Sequence, residues 1–181
     1  MRKITIAISG SPGAGTSSIA KEVAKRLRLI FFSPGKIQKS YAKTKKESLA
    51  ALKVWQTKFG KSEDFHRNIL DRKQVEVAKK GNVVICGKLS IKMLGSLADY
   101  KIWIHAPLKI RAMRAAGRDG ISTEEAMKLL SEREDMERKE WRRIYGFDYF
   151  DQRKLADIVI DNSRLTLEQA VDKIMGFIKS R

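Results

Sequence analysis

Between the apolar run Ile4-Thr5-Ile6-Ala7-Ile8 and the segment 18–28 lies the loop Gly10-Ser11-Pro12-Gly13-Ala14-Gly15-Thr16-Ser17-Ser18. No other stretch restricts the fold as much. The run before it has the composition of a short buried strand. The segment after it places Ile19, Val23 and Leu27 on one face of a helix. A glycine-rich turn from strand to helix can aim backbone N–H groups inward and cradle a polyphosphate, and the helix N-terminus adds a positive dipole end. The spacing is G-x-x-x-x-G-x-S. Ser17 stands where a magnesium-binding hydroxyl belongs, while Thr16 stands where such loops carry lysine.

The rest of the chain supplies a setting for this loop. Apolar runs at 29–32, 82–86, 99–105 and 157–161 read as further strands, and the segments between them as helices. Near-continuous apolar strands separated by helices predict an α/β fold: a doubly wound, five-stranded parallel sheet covered on both faces, with ligands at the C-terminal strand edge. The 181 residues suit a single domain. Ser33-Pro34-Gly35 turns the chain after the second strand, and Ser33 can cap a helix beginning at Pro34. From 36 to 80 the pattern is helical and basic. Leu49, Leu52, Val54, Trp55 and Phe59 give one apolar stripe, Gly60 ends that helix, and Ser62 caps the next.

The net charge of +17 implies attraction to polyanions: nucleotides, RNA, or both. A lysine-rich solvated surface is the alternative explanation. Within 122–143, Arg133, Arg138, Arg142 and Arg143 lie among acidic residues. This segment reads as an arginine lid over phosphates, or as an exposed helix laced with ion pairs. With one cysteine and two histidines, the chain has neither an internal disulfide nor a Cys/His zinc site, and Cys86 reads as a core residue. No apolar run reaches the roughly 20 residues that span a membrane, and the chain opens on a strand rather than a signal peptide, so the cytoplasm is expected.

A phosphate loop in so short a chain, with arginines after the fourth strand, suggests a small phosphotransferase. Such an enzyme needs a phosphate cradle, magnesium, an acceptor pocket and cations that close over the transferring group. Elements after strands two and three would build the acceptor pocket, with candidates Ser33, Lys36, Lys39, Asp71, Arg72, Gln74 and Lys88.

The chain resembles the archaeal-type cytidylate kinases, a branch of the nucleoside monophosphate kinases. The resemblance runs over nearly the whole length. It rests on the loop itself, Ser33-Pro34-Gly35, Asp71-Arg72-Lys73-Gln74, Gly87-Lys88-Leu89, Ile102-Trp103-Ile104-His105-Ala106-Pro107-Leu108 with Arg111, Arg114 and Arg118, Arg133-Glu134, Tyr145-Gly146-Phe147-Asp148 and Ala156-Asp157-Ile158-Val159-Ile160-Asp161-Asn162. The family shares threonine at the loop position of Thr16. The resemblance implies transfer of phosphate from ATP, with Mg2+, to CMP or dCMP. By position, Gly10 to Ser18 would bind the ATP phosphates and Ser17 the magnesium. Ser33, Lys39, Asp71, Gln74 and Lys88 would lie near CMP. Arg114 and Arg118 would flank ATP, and Arg133 would reach the transferring phosphate. The acceptor-binding helices would span about 34–80 and a short lid about 117–146, in a monomer.

The chain departs from the family where Lys39 and Lys88 replace arginines, which keeps charge but loses the bidentate fork. Met136 replaces a serine, and Glu140 replaces an arginine and is expected to repel a phosphate. These departures, the charge, and Trp55 and Trp141 among basic residues raise a second reading: a kinase-derived protein that binds RNA or a ribonucleoprotein particle. Helix packing is the favoured role for Trp55. A kinase with a different acceptor and a nucleotide-dependent switch complete the alternatives.

Overall fold

The computed structural model describes residues 3–42, 44 and 46–181. β1 (Thr5–Gly10) is buried along its whole length and pairs in parallel with β3 (Val83–Cys86) on one side and β4 (Tyr100–His105) on the other. β2 (Ile30–Phe32) and β5 (Ile158–Asp161) complete a five-stranded parallel sheet in the order β2-β3-β1-β4-β5. All C-terminal strand ends therefore share one edge. The loop after central β1 opens at the middle of that edge, where connections leave in opposite directions.

Side-chain alternation along β1 builds two cores. Ile6 and Ile8 join Val84, Ile102 and Ile104 under α1 (Thr16–Leu27) and α9 (Leu167–Lys179). Ala7, on the other face, joins Val83, Ile85 and Trp103 in a cluster that includes Trp55, Trp141 and Tyr149. α9 starts on a capping box between Thr166 and Gln169.

Residues 34–80 form α2 (Pro34–Ser40), α3 (Glu47–Trp55), α4 (Lys58–Lys61), a π-helical stretch Phe65–Asp71 and α5 (Arg72–Lys80). Two expectations fail here. α3 ends at Trp55, and Gly60 lies inside α4. A Cβ on Gly60 would meet the Val54 carbonyl oxygen at 2.0 Å, so this glycine permits a close backbone approach rather than a helix stop. Phe59 consequently turns outward, 42% exposed, against the rings of Tyr41 and Phe65. Ser62 does cap the π-helical stretch, accepting from the Phe65 N–H. Ser33 sits at the start of α2, but its side chain makes no capping bond.

The chain continues through α6 (Ser90–Leu94), a 3-10 turn Gly95–Leu97, α7 (Leu108–Asp119), α8 (Thr123–Tyr145) and a 3-10 stretch Tyr149–Leu155. α8 begins just inside the segment 122–143, with Ser122 Oγ accepting from the Glu125 N–H. It packs along α7 and crosses to α3, spanning the top of the strand edge. Trp55 and Trp141 meet edge to face between α3 and α8, with ring centroids 5.5 Å apart and almost no exposure. They are core residues, which removes the aromatic support for an RNA surface. No described helix is long and apolar enough to cross a membrane.

Candidate active site

The loop after β1 is held from behind. Ser11, Pro12 and Ala14 are buried. The Ser11 N–H donates to Ile104 O at 3.2 Å, and the Ala14 N–H to Ser11 O at 3.2 Å. Arg111, itself buried, donates to Pro12 O at 2.8 Å and Ala106 O at 2.9 Å while pairing with Glu134 at 2.6 Å. Asn162 Nδ2 donates to Ala14 O at 2.8 Å. α7, α8 and the end of β5 thus fix the loop before any ligand arrives. Gly13 and Gly15 adopt φ of 78° and 89°, a region other residues rarely enter.

The front of the loop is open. Gly10, Gly13, Gly15, Thr16, Ser17 and Ser18 line a cleft of about 480 Å³. Thr16, Ser17 and Ser18 open α1, so no preceding turn accepts their N–H groups. The Thr16 methyl lies against Gly10, 2.8 Å from where a Cβ would stand. Cys86 is buried as expected, yet forms part of the cleft floor, with Sγ 3.9 Å from Ser17 Oγ.

A cation approaches the loop from beyond β3. Lys88, just past that strand, donates from Nζ to Gly10 O at 2.5 Å. Burial of its ammonium lowers its pKa from 10.5 to about 7. Lys21, Lys39, Arg114, Arg118 and Arg133 line the same cleft, and so does Ser33. Glu47 is the one carboxylate in this lining among the described residues. It accepts from Lys39 at 2.7 Å and lies 3.7 Å from Arg118, which also grips Asp119 through two bonds. Arg114 Nη2 donates to Asn162 O at 2.7 Å. Arg133 Nε donates at 2.7 Å to Glu137, which is fully buried.

Asp71 and Gln74 lie elsewhere. They line a smaller cavity of about 50 Å³ with Gln38, His66, Leu70 and Trp141. Lys88, Arg133 and Gly35 border both spaces. Ser90 Oγ donates to Gln74 Oε1, Gln74 Nε2 donates to Asp71, and the Tyr145 hydroxyl donates to the other Asp71 oxygen. Burial raises the Asp71 carboxyl to about 6 despite these donors. Among the described residues no cluster of His, Cys, Asp and Glu could hold a metal, so a magnesium ion would depend on Ser17 and the phosphates it accompanies.

Two expectations about α8 are corrected. Arg138 and Arg142 pair with Asp148, and with Arg143 they line a separate depression on the outer surface. Only Arg133 of these four arginines borders the cleft. Glu140 lines neither cavity: it is buried and accepts from Arg143 at 2.9 Å, so its charge is matched away from the phosphate loop. Met136 packs into the core cluster beneath α8.

Lys21, Glu47, Gln38, His66 and Trp141 join the site although no sequence motif assigns them to it. Lys21 follows Ser17 by one helical turn, and that spacing is a signal that could reveal it. The others reach the site through tertiary contacts that no local pattern announces.

Residues 5–164 match the cytidylate kinase-like family. The chain belongs to this family. It is similar to the cytidylate kinase of Pyrococcus horikoshii, 39% identical over 169 residues, with 92% of this chain and 83% of that protein covered. It is 38% identical over 169 residues to the cytidylate kinase of Methanocaldococcus jannaschii, covering 90% of each. The cytidylate kinase-like fold extends further: a shikimate kinase structure from Bacteroides thetaiotaomicron has a TM-score of 0.62 at 17% identity, over 98% of this chain and 99% of that one.

Proposed function

We propose that the chain is a cytidylate kinase that transfers the γ-phosphoryl group of ATP to CMP or dCMP. One observation carries the reading beyond the family: two adjoining cavities, one lined by the phosphate loop and one by Asp71 and Gln74, share Lys88 and Arg133. Phosphates entering from the two sides converge on the same two cations. A phosphate oxygen of CMP attacks the γ-phosphorus, the bond to the β–γ bridging oxygen breaks, and ADP and CDP leave. Arg133 and Lys88 neutralise charge on the transferring group, and Arg114 and Arg118 hold the donor from the side. Thr16 contributes its backbone N–H, and Lys88 takes the place of the loop lysine. Ser17 and the nucleotide phosphates would hold a magnesium ion, which would supply further charge neutralisation.

Ser33 and Lys39, expected beside Asp71 and Gln74, line the phosphate-loop cleft instead, where they meet the acceptor's phosphate rather than its base, and residues 34–80 form the acceptor-binding segment. Residues 117–146 act as the lid through Arg133. The small second cavity favours a one-ring base over a purine. Incubating the protein with ATP, magnesium and each common nucleoside monophosphate tests the reading. CMP or dCMP is expected to turn over fastest, and no turnover of any acceptor overturns it.

A further inference from the structure

The small cavity holds an arrangement that phosphate chemistry does not use. Gln38 and Trp141, 5% and 3% exposed, line it from α2 and α8. Gln38 Nε2 and Trp141 Nε1 are buried, and neither has a hydrogen-bond partner among the described residues. Both atoms can only donate. Trp55 Nε1 is also unpartnered, but it sits in the aromatic core and does not line the cavity. His66 is accounted for, because its Nε2 is 2.8 Å from Gly60 O and its ring stacks on Trp55.

The same cavity is lined by an acceptor of fixed direction. The chain of donors Ser90 to Gln74 to Asp71, with Tyr145 to Asp71, ends on a carboxylate. An ionised carboxylate offers about four lone-pair directions, and these two bonds leave some open. Buried donors left without acceptors are disfavoured in a protein that has no use for them. Two of them on residues that share a cavity with a carboxylate, beside a phosphate cleft, match the chemistry of a heterocycle's hydrogen-bonding edge.

We propose that the Gln38 amide and the Trp141 indole read the acceptor base: their N–H groups donate to the lone-pair atoms O2 and N3 of cytosine, while Asp71 accepts from its exocyclic amine. This assignment rests on the cytidylate kinase reading and adds the residues that select the base. Loss of one such bond weakens binding of the acceptor and leaves the ATP side untouched.

The test uses the full chain with Gln38→Met and Trp141→Phe, each of which keeps bulk and removes the donor. The KM for CMP is expected to rise about tenfold in each, with the KM for ATP within twofold of the parent. Without nucleotide, each variant is expected to melt at or above the parent temperature, because an unpartnered donor is gone. 3-Deaza-CMP, in which C–H replaces N3, is expected to bind the parent about tenfold more weakly than CMP. One of the two variants should show no such preference. An unchanged KM for CMP in both variants overturns the assignment, as does a parallel rise in both nucleotides' KM or an undiminished preference over 3-deaza-CMP in both. Should either variant fail to fold, Gln38→Glu, which keeps shape and replaces the donor with an acceptor, must raise the KM for CMP or the assignment falls. A parent with no CMP turnover would refute the kinase reading itself, a different outcome from a parent and variants that all turn CMP over equally.

Discussion

Lys88 carries the strongest consequence of any single residue. Its ammonium reaches the phosphate loop from a position 78 residues beyond Gly10, and burial lowers its pKa to about 7. The group therefore loses its proton as pH rises through about 7, when an unfolded lysine would keep it to 10.5. Between those values the unfolded chain binds more protons, so this residue makes folding more favourable as pH rises. Phosphate attraction runs the opposite way. kcat/KM for ATP is expected to fall above about pH 7, and Lys88→Arg to flatten that limb because a guanidinium stays charged. Lys88→Met should lower turnover by about 10²-fold, as loss of a charged stabilising group does. Steady-state kinetics between pH 6 and 9 would show both effects, and a flat parent profile would contradict the assignment. The loop and its missing lysine are plain in the sequence, but the approach of Lys88 is not. Spacing reports neighbours along the chain, whereas Lys88 meets Gly10 only because β3 lies beside β1 in the sheet.

Among elements, α8 decides which arginines act. At about 100° per residue, Arg142 lies nine positions and half a turn around from Arg133. Arg133 faces the cleft, and Arg142 pairs with Asp148 on the surface. Arg133→Ala is expected to lower kcat about 10²-fold, and Arg142→Ala to stay within twofold, both measured with saturating nucleotides. Equal losses would mean that the helix turns differently when nucleotide binds. The strands and the N-cap of α8 are legible because each rests on local chemistry: apolar runs, and Ser122 before Glu125. The 34–80 segment is not, since glycine signals both a helix stop and a close approach. At Gly60 the nearby Val54 carbonyl decides between them, and only packing brings it there.

At the scale of the molecule, +17 is unevenly distributed. Lys21, Lys39, Lys88, Arg114, Arg118 and Arg133 converge on one cleft whose lining, among the described residues, holds a single carboxylate, Glu47, while Asp119 and Glu137 pair with Arg118 and Arg133 from outside it. Such a cluster repels itself in the free protein and is relieved by polyanions. Tripolyphosphate is expected to raise the melting temperature by several degrees more than sodium chloride at equal ionic strength, since it binds the folded state alone. Calorimetry would read the difference, and equal shifts would mean that the charge acts only as a diffuse field. The fold class is readable from the pattern of strands and helices. The division of the site into two cavities is not, because it depends on how α2, α5 and α8 meet over the strand edge.

The π-helical stretch Phe65–Asp71 places one residue too many in a turn of helix. Shortening the chain here by a residue would let plain α-helix run into α5 with better backbone bonding. It would also rotate His66 and everything before it by about 100° relative to Asp71 and Gln74. His66 would leave the stack on Trp55, and the wall of the smaller cavity would come apart. Local helical regularity and an intact smaller cavity are thus competing demands on the same seven residues, and this chain has settled for the irregular helix.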